Sequence, residues 1–200
     1  MSVASLFTAP VGDDMALIPR GPAIAEALHE LIEANYERLS RWNPAVVAEP
    51  FALEETRARL ERQAVAWLAG SLLPVAIAVP HESGGWRLAG TAALSIDAGS
   101  RSAEVGYWID GGLEGRGLVT RTVSALLDHA FGPLGLHRVA LATYAANHRS
   151  RALAERLGFT REGVLRQVNP TPDGFDDEVI YGLLADEWRG TAGGDQEVRH

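Results

Sequence analysis

The segment from Ala103 to Gly158 constrains this chain most, because it joins a strand, a glycine-broken turn, a helix, a second strand and a capped helix. It reads Ala103-Glu104-Val105-Gly106-Tyr107-Trp108-Ile109, then Gly111-Gly112-Leu113-Glu114-Gly115-Arg116-Gly117-Leu118-Val119, then an apolar-periodic helix to Phe131. Arg138–Thr143 supplies the next strand, Asn147-His148-Arg149-Ser150 opens another helix, and Leu157-Gly158-Phe159 closes it. A helical crossover of that length between two strands argues for a parallel pair. Gly115 and Gly117 let the backbone turn tightly at the head of a helix, with its amide N–H groups facing one point. Free amides and the positive end of a helix dipole together form a site for phosphate.

Two hundred residues, 46% hydrophobic and 22% charged, describe an ordinary globular chain with one domain as the default. Residues 1–11 and 190–200 are expected to be tails around a single domain over 12–189. No apolar run approaches a membrane span. Met1–Arg20 carries Asp13 and Asp14 without a basic start, so a signal peptide is not expected and the protein is read as cytoplasmic. The absence of cysteine removes disulfides, thiolate nucleophiles and thiolate metal sites. His29, His81, His129, His137, His148 and His200 have no metal-ligand spacing, so no metal is expected. A net charge of −8 opposes nucleic acid as a direct partner and tolerates cationic ones.

A strand is expected at Met15–Pro19 and a helix from Pro22, with Ala25, Leu28, Leu31, Ile32, Tyr36 and Leu39 on its apolar face. A second helix spans about Leu53 to Leu68, with Leu60, Ala64, Trp67 and Leu68 on one side and Gly70 ending it. The period then changes to two. Leu73–Val79, Trp86–Ile96 and Val105–Ile109 alternate, which indicates three strands of an antiparallel meander. After the Ala103–Gly158 segment, Phe159–Gln167 and Glu178–Leu184 supply the last strands. The expected fold is α/β (α+β): a splayed mixed, mostly antiparallel sheet with helices on both faces.

Six pieces stand in a fixed order: Glu104-Val-Gly-Tyr-Trp-Ile109, Glu114-Gly-Arg-Gly-Leu-Val-Thr120, Leu136-His-Arg138, Asn147-His-Arg-Ser150, Leu157-Gly-Phe-Thr-Arg-Glu-Gly-Val-Leu-Arg166 and Tyr181-Gly-Leu-Leu184. In these pieces the chain resembles the GNAT N-acetyltransferase superfamily, in its RimJ/RimL-like branch, over roughly residues 12–189. The resemblance implies that acetyl-CoA binds between two parallel strands that part company. Gly115, Arg116, Gly117, Leu118, Val119 and Thr120 would cradle the pyrophosphate. Glu114 and Val119 depart from the side chains usual in that motif, and a carboxylate near phosphates is repulsive unless it points away.

Gly106 inside a strand is either a bulge or relief of crowding beside Trp108. In the family, amides at Tyr107, Trp108 and Ile109 bind the pantetheine arm and polarise the thioester carbonyl. Glu104 stands where members often hold a catalytic carboxylate, so the resemblance makes it the general base, directly or through water. Many relatives carry a catalytic tyrosine where this chain has Ala154, and some RimL-like members a glutamate where it has Asn169. The serine of Asn-x-x-Ser is matched by Ser150, which becomes the thiol contact, with Asn147 beside it. Arg151, with Arg149 and Arg121, is either a phosphate contact or a solvated helix face. Trp42, Tyr107 and Asp177 are the candidate acceptor-binding residues, with Asp176 and Glu178 near the last.

The implied activity is acetyl transfer to a primary amine by direct attack in a ternary complex, foremost to a protein or peptide N-terminal α-amine, for instance that of a ribosomal protein. A small amine (polyamine, amino acid or aminoglycoside) is the alternative acceptor, and a non-catalytic acyl-CoA-binding module the alternative class. The implied partners are coenzyme A and the acceptor, with no membrane and with a monomer or homodimer as the assembly.

Overall fold

The computed structural model describes residues 9–11, 14–171 and 174–190. These fall into two compact units, one made of residues up to Leu94 with Tyr107–Thr122, the other of Ser95–Gly106 with residues from Val123 onward.

In the first unit, strand β1 (Ala9–Pro10) pairs antiparallel with β2 (Ala16–Pro19), and β2 pairs antiparallel with β3 (Leu72–Pro80) in the register Ala16↔Ala78 to Pro19↔Val75. The strand order continues to β4 (Trp86–Asp97) and the end of β5 (Ser102–Ile109). Residues 9–10, expected within a tail, therefore extend the sheet edge; the rest of 1–8 and 191–200 lies outside the described residues.

Helices α1 (Ala25–Ala34), α2 (Tyr36–Trp42) and α3 (Leu53–Leu68) bury one stripe each. Ala25, Leu28, Ile32, Leu39, Val47, Leu60 and Trp108 form one cluster, so the 3.6-residue period does place these side chains together. The single helix expected from Pro22 is two. It opens with a 3-10 turn at Pro22–Ile24 and breaks at Asn35, whose φ of −117° and ψ of 14° leave the α region. In α3, burial stops short of the expected stripe. Leu60 is fully buried but Leu68, in the last turn before the left-handed Gly70, is 87% exposed.

In the second unit the order is β5, β6 (Arg138–Tyr144), β8 (Gly174–Leu184), β7 (Thr160–Thr171). The expected parallel pair is present, with Ser102–Glu104 against Arg138–Ala140. β6 runs antiparallel to β8 along its whole length, from Arg138↔Leu184 to Tyr144↔Glu178. Antiparallel pairing thus predominates, as expected. The terminal hairpin is longer than the sequence suggested, and two register shifts, at Arg161/Gly163 and Leu165/Asn169, interrupt it.

Helix α4 (Leu118–Phe131) buries Val123, Leu126, Leu127 and Ala130. Helix α5 (His148–Arg156) is capped at one end by Asn147, whose Oδ1 accepts from Ser150 N–H at 3.1 Å. At the other end Gly158 takes φ +86° and Phe159 N–H reaches Ala154 O at 3.0 Å, satisfying carbonyls the helix leaves open.

Two glycines make room for neighbours. A Cβ on Gly90 would collide with the Trp108 carbonyl oxygen and stand 2.8 Å from Ile109 Cα. A Cβ on Gly182 would strike the ion pair that Arg138 of β6 makes with Glu162 of β7 across the strand between them. Gly90→Ala is expected to cost ~1–3 kcal/mol by overpacking, whereas Gly106→Ala, where a Cβ meets nothing within 4 Å, should stay within about 0.5 kcal/mol; thermal unfolding of the two variants checks the contrast.

Arg138 holds the Glu162 carboxyl below its ordinary pKa of 4.5 by hydrogen bonding and charge. A carboxyl depressed in the folded state stabilises above the unfolded pKa, and that contribution disappears as pH falls through the folded one. Glu162→Gln should therefore be less stable than the parent at neutral pH, by at most about 1 kcal/mol because the pair is partly exposed, and should match it in strongly acid solution. Urea unfolding across pH reads this directly.

Candidate active site

The turn that heads α4 begins at Asp110. Its carbonyl accepts from Leu113 N–H at 2.9 Å, its carboxylate accepts from Gly112 N–H at 3.2 Å, and a 3-10 turn over Gly111–Leu113 buries Leu113. Gly115 and Gly117 then take φ of +77° and +72°. A Cβ at either would meet nothing within 4 Å, so glycine is required there by backbone conformation and not by crowding. Gly115, Arg116 and Gly117 are exposed, and the first intrahelical bond runs from Arg121 N–H to Gly117 O. The amides of Leu118 and Val119 therefore sit in the turn that offers no intrahelical acceptor. An exposed nest of main-chain amides at a helix start suits an anion.

The Glu114 carboxylate beside this nest has a cationic partner. Arg38 of α2 forms an ion pair with its carboxylate and donates a second bond to the Ile109 carbonyl. One turn earlier, Asn35 Oδ1 accepts from Gly111 N–H at 2.9 Å, while its Nδ2 donates to Leu31 O at 2.9 Å and to Asp110 Oδ1 at 3.3 Å. Arg87 of β4 reaches the other Asp110 oxygen at 3.4 Å. The α1/α2 break thus places two polar side chains on the loop of residues 109–114. Asn35, Arg38 and Asp110 were not among the expected site residues; a carboxylate beside a phosphate turn was the available signal that a cation had to be nearby.

Among the other expected residues of this unit, Trp108 is 8% exposed and its side chain belongs to the apolar cluster. Ile109 is buried as well, and Tyr107 half-buried. Trp42 ends α2, with the Arg41 guanidinium 4.5 Å above its ring. Val119 and Thr120 are half-buried in the first turn of α4. Arg121 is held by Asp14, at 2.5 and 3.0 Å, and by Val11 O, which gives its guanidinium a structural task.

In the second unit, Glu104 is exposed and closes the parallel register opposite Ala140. Gly106 is exposed and uncrowded, so crowding beside Trp108 does not account for it. Asn147 and Ser150 come together at the start of α5 through the cap already described. Arg151 donates to Ala145 O at 3.1 Å, and a hydrogen bond with Tyr181 raises its pKa further. Asp176 and Asp177 also serve this loop. Asp176 Oδ2 accepts from Ala146 N–H at 3.2 Å, Asp177 O accepts from Ala145 N–H at 2.8 Å, and Asp177 Oδ1 accepts from Gln167 N–H at 2.9 Å. Asn169 lies on β7, and Ala154 is fully buried.

Removing Arg38 would strip the 109–114 loop of a two-point brace and leave the Glu114 carboxylate half-buried without that partner. Arg38→Met is expected to lower stability by ~1–2 kcal/mol and to speed hydrogen exchange at Gly111–Leu113. Adding Glu114→Gln should recover part of the loss, a coupling that a double-mutant cycle measures.

Residues 17–160 match the model of the acetyltransferase (GNAT) domain family. The chain is 34% identical over 191 residues to YdaF of Bacillus subtilis (strain 168), named provisionally as a ribosomal N-acetyltransferase, covering 92% of this chain and 99% of that protein. It is 32% identical over 91 residues to the ribosomal-protein-serine acetyltransferase of Escherichia coli (strain K12), covering 46% and 51%. Among solved structures, the microcin C7 self-immunity acetyltransferase MccE, in complex with acetyl-CoA and AMP, superposes with a TM-score of 0.75 at 26% identity over 87% of this chain and 94% of that one. The exposed glycine turn heading α4, the parallel β5/β6 pair and these likenesses agree: this chain belongs to the GNAT family of N-acetyltransferases, in its RimJ/RimL-like branch.

Proposed function

We propose that the chain transfers the acetyl group of acetyl-CoA to the α-amine of a protein or peptide N-terminus, with residues 12–189 working as one acetyltransferase domain in the cytoplasm. The observation that carries the reading is the exposed turn at Gly115–Gly117, whose left-handed glycines and open helix start offer main-chain donors to a diphosphate. Gly115, Arg116, Gly117, Leu118, Val119 and Thr120 hold that diphosphate. The Arg38–Glu114 pair engages the carboxylate next to the glycines and offsets its charge beside the ligand.

Amides of Tyr107, Trp108 and Ile109 would donate to the pantetheine arm and to the thioester oxygen, which gains negative charge as the amine attacks. Glu104 takes the amine proton directly or through one water, and Ser150, beside Asn147, contacts the thiol and supplies a hydrogen bond to the departing thiolate. Arg151 and Trp42, Tyr107 and Asp177 complete the cofactor and acceptor sets. An α-amine titrates near ~8 and a lysine near ~10.4, so an α-amine asks less of a base in an exposed carboxylate such as Glu104. The names of YdaF and the Escherichia coli relative point to ribosomal proteins as acceptors. A small amine is the second reading.

Thiol release from acetyl-CoA, followed with N-terminal peptides and with a panel of small amines, decides between the readings; coenzyme A binding without turnover on any amine would leave only a binding module. Ser150→Ala is expected to lower kcat at least about tenfold while leaving the acetyl-CoA dissociation constant within about threefold. Unchanged turnover in that variant removes Ser150 from the mechanism.

A further inference from the structure

The first unit holds a cavity of about 180 Å³ that the acetyl-transfer reading does not use. Its polar lining is Arg20, Arg59, Gln63 and Thr91; its apolar lining includes Ile32 and Trp108. Arg20 follows directly on β2, and its Nε–H is fully buried with no hydrogen-bond partner. Arg59 comes from α3 and uses one amine to bond Val46 O at 2.8 Å. Burial and the neighbouring Arg59 charge together push the Arg20 pKa down to about 10. Arg59 is also lowered by burial. The carboxylate that acts on Arg59 is Glu55, which already pairs with Arg62 at 2.6 Å.

Two guanidiniums therefore face one apolar-walled space without a carboxylate of their own among the described residues. Like charges brought together out of water oppose folding unless an anion joins them. We propose that this cavity is a carboxylate-binding site and that it takes an acidic group carried by the acceptor close to its amine. A planar carboxylate matches the guanidinium fork, with Gln63 and Thr91 as further donors. The apolar walls suit the short aliphatic stem that carries such a carboxylate. Trp108 links the cavity to the strand segment whose amides are proposed to meet the thioester, so an acid held here is held beside that strand. On a chain with net charge −8, a buried cationic pair is a selective place for an anion.

The cavity assignment stands on the arginine pair, and the acceptor assignment rests in addition on the transferase reading; two measurements separate them. At constant ionic strength, glutarate at tenfold its dissociation constant is expected to raise the unfolding temperature of the protein by about 4 °C, and Arg20→Gln to weaken that binding at least about tenfold. Without anion, Arg20→Gln should unfold no lower than the parent, because it removes an unpaired buried charge; Arg59→Gln gives the second measurement of glutarate binding. No response to glutarate, a response in both variants as large as the parent's, or a larger response to inorganic phosphate overturns the carboxylate site. In the second measurement, N-terminal peptides with Asp or Glu at the second position should be acetylated with about tenfold higher kcat/KM than their Asn or Gln counterparts, and Arg20→Gln should remove the preference. Equal rates in the parent overturn the acceptor assignment. Failure to acetylate any amine would instead reject the transferase reading, and the glutarate result would still judge the cavity.

Discussion

A carboxylate next to an anion-binding turn is tolerable only if something else claims it, and here the Arg38 guanidinium does so. That ion pair, together with the second bond from Arg38 to the Ile109 carbonyl, fixes the direction in which the 109–114 loop leaves β5. Asn35 repeats the arrangement one turn earlier by receiving the Gly111 amide and contacting Asp110. The glycines at 115 and 117 then have a fixed starting point from which to turn their amides outward. The break between α1 and α2 falls at Asn35, one turn before Arg38, and both side chains reach the same loop.

Much of this architecture was legible in the sequence, for identifiable reasons. The period-two runs became β3, β4 and β5 within one to three residues, because alternation of side-chain type is a local signal, although consecutive residues in the middle of β3 and β4 are buried on both faces. The cap at Asn147 and the stop at Gly158 were legible because capping is settled by the residue at one position. The exposed glycine turn belongs with these, since positive φ at Gly115 and Gly117 is a demand that few other residues meet.

What was not legible depended on partners distant in sequence. Nothing near Asn35 announces a helix break, and the amide that its side chain receives belongs to Gly111, 76 residues on. Asp176 and Asp177 read either as acceptor-binding carboxylates or as a polar turn, and the bonds they accept from the Ala146 and Gln167 amides reach residues 30 and 10 positions away. Leu68 continues the apolar period of α3 but extends past the surface that buries Leu60. Arg20 and Arg59 sit on separate elements 39 positions apart, and only the folded unit brings them to one cavity.

The two register shifts in the last hairpin have an effect beyond their local geometry. β7 is the outermost strand of its unit, twelve residues long, and Leu165 and Val168 on it are about half exposed. A straight edge of that length would offer an uninterrupted ladder of donors and acceptors to any other extended chain. The irregular stretches near Gly163 and between Leu165 and Asn169, with Gln167 in a left-handed conformation at φ 54°, cut that ladder into pieces too short to template a foreign strand. The same irregularity that lets the Gln167 amide bond to Asp177 therefore leaves less of this edge open to sheet growth.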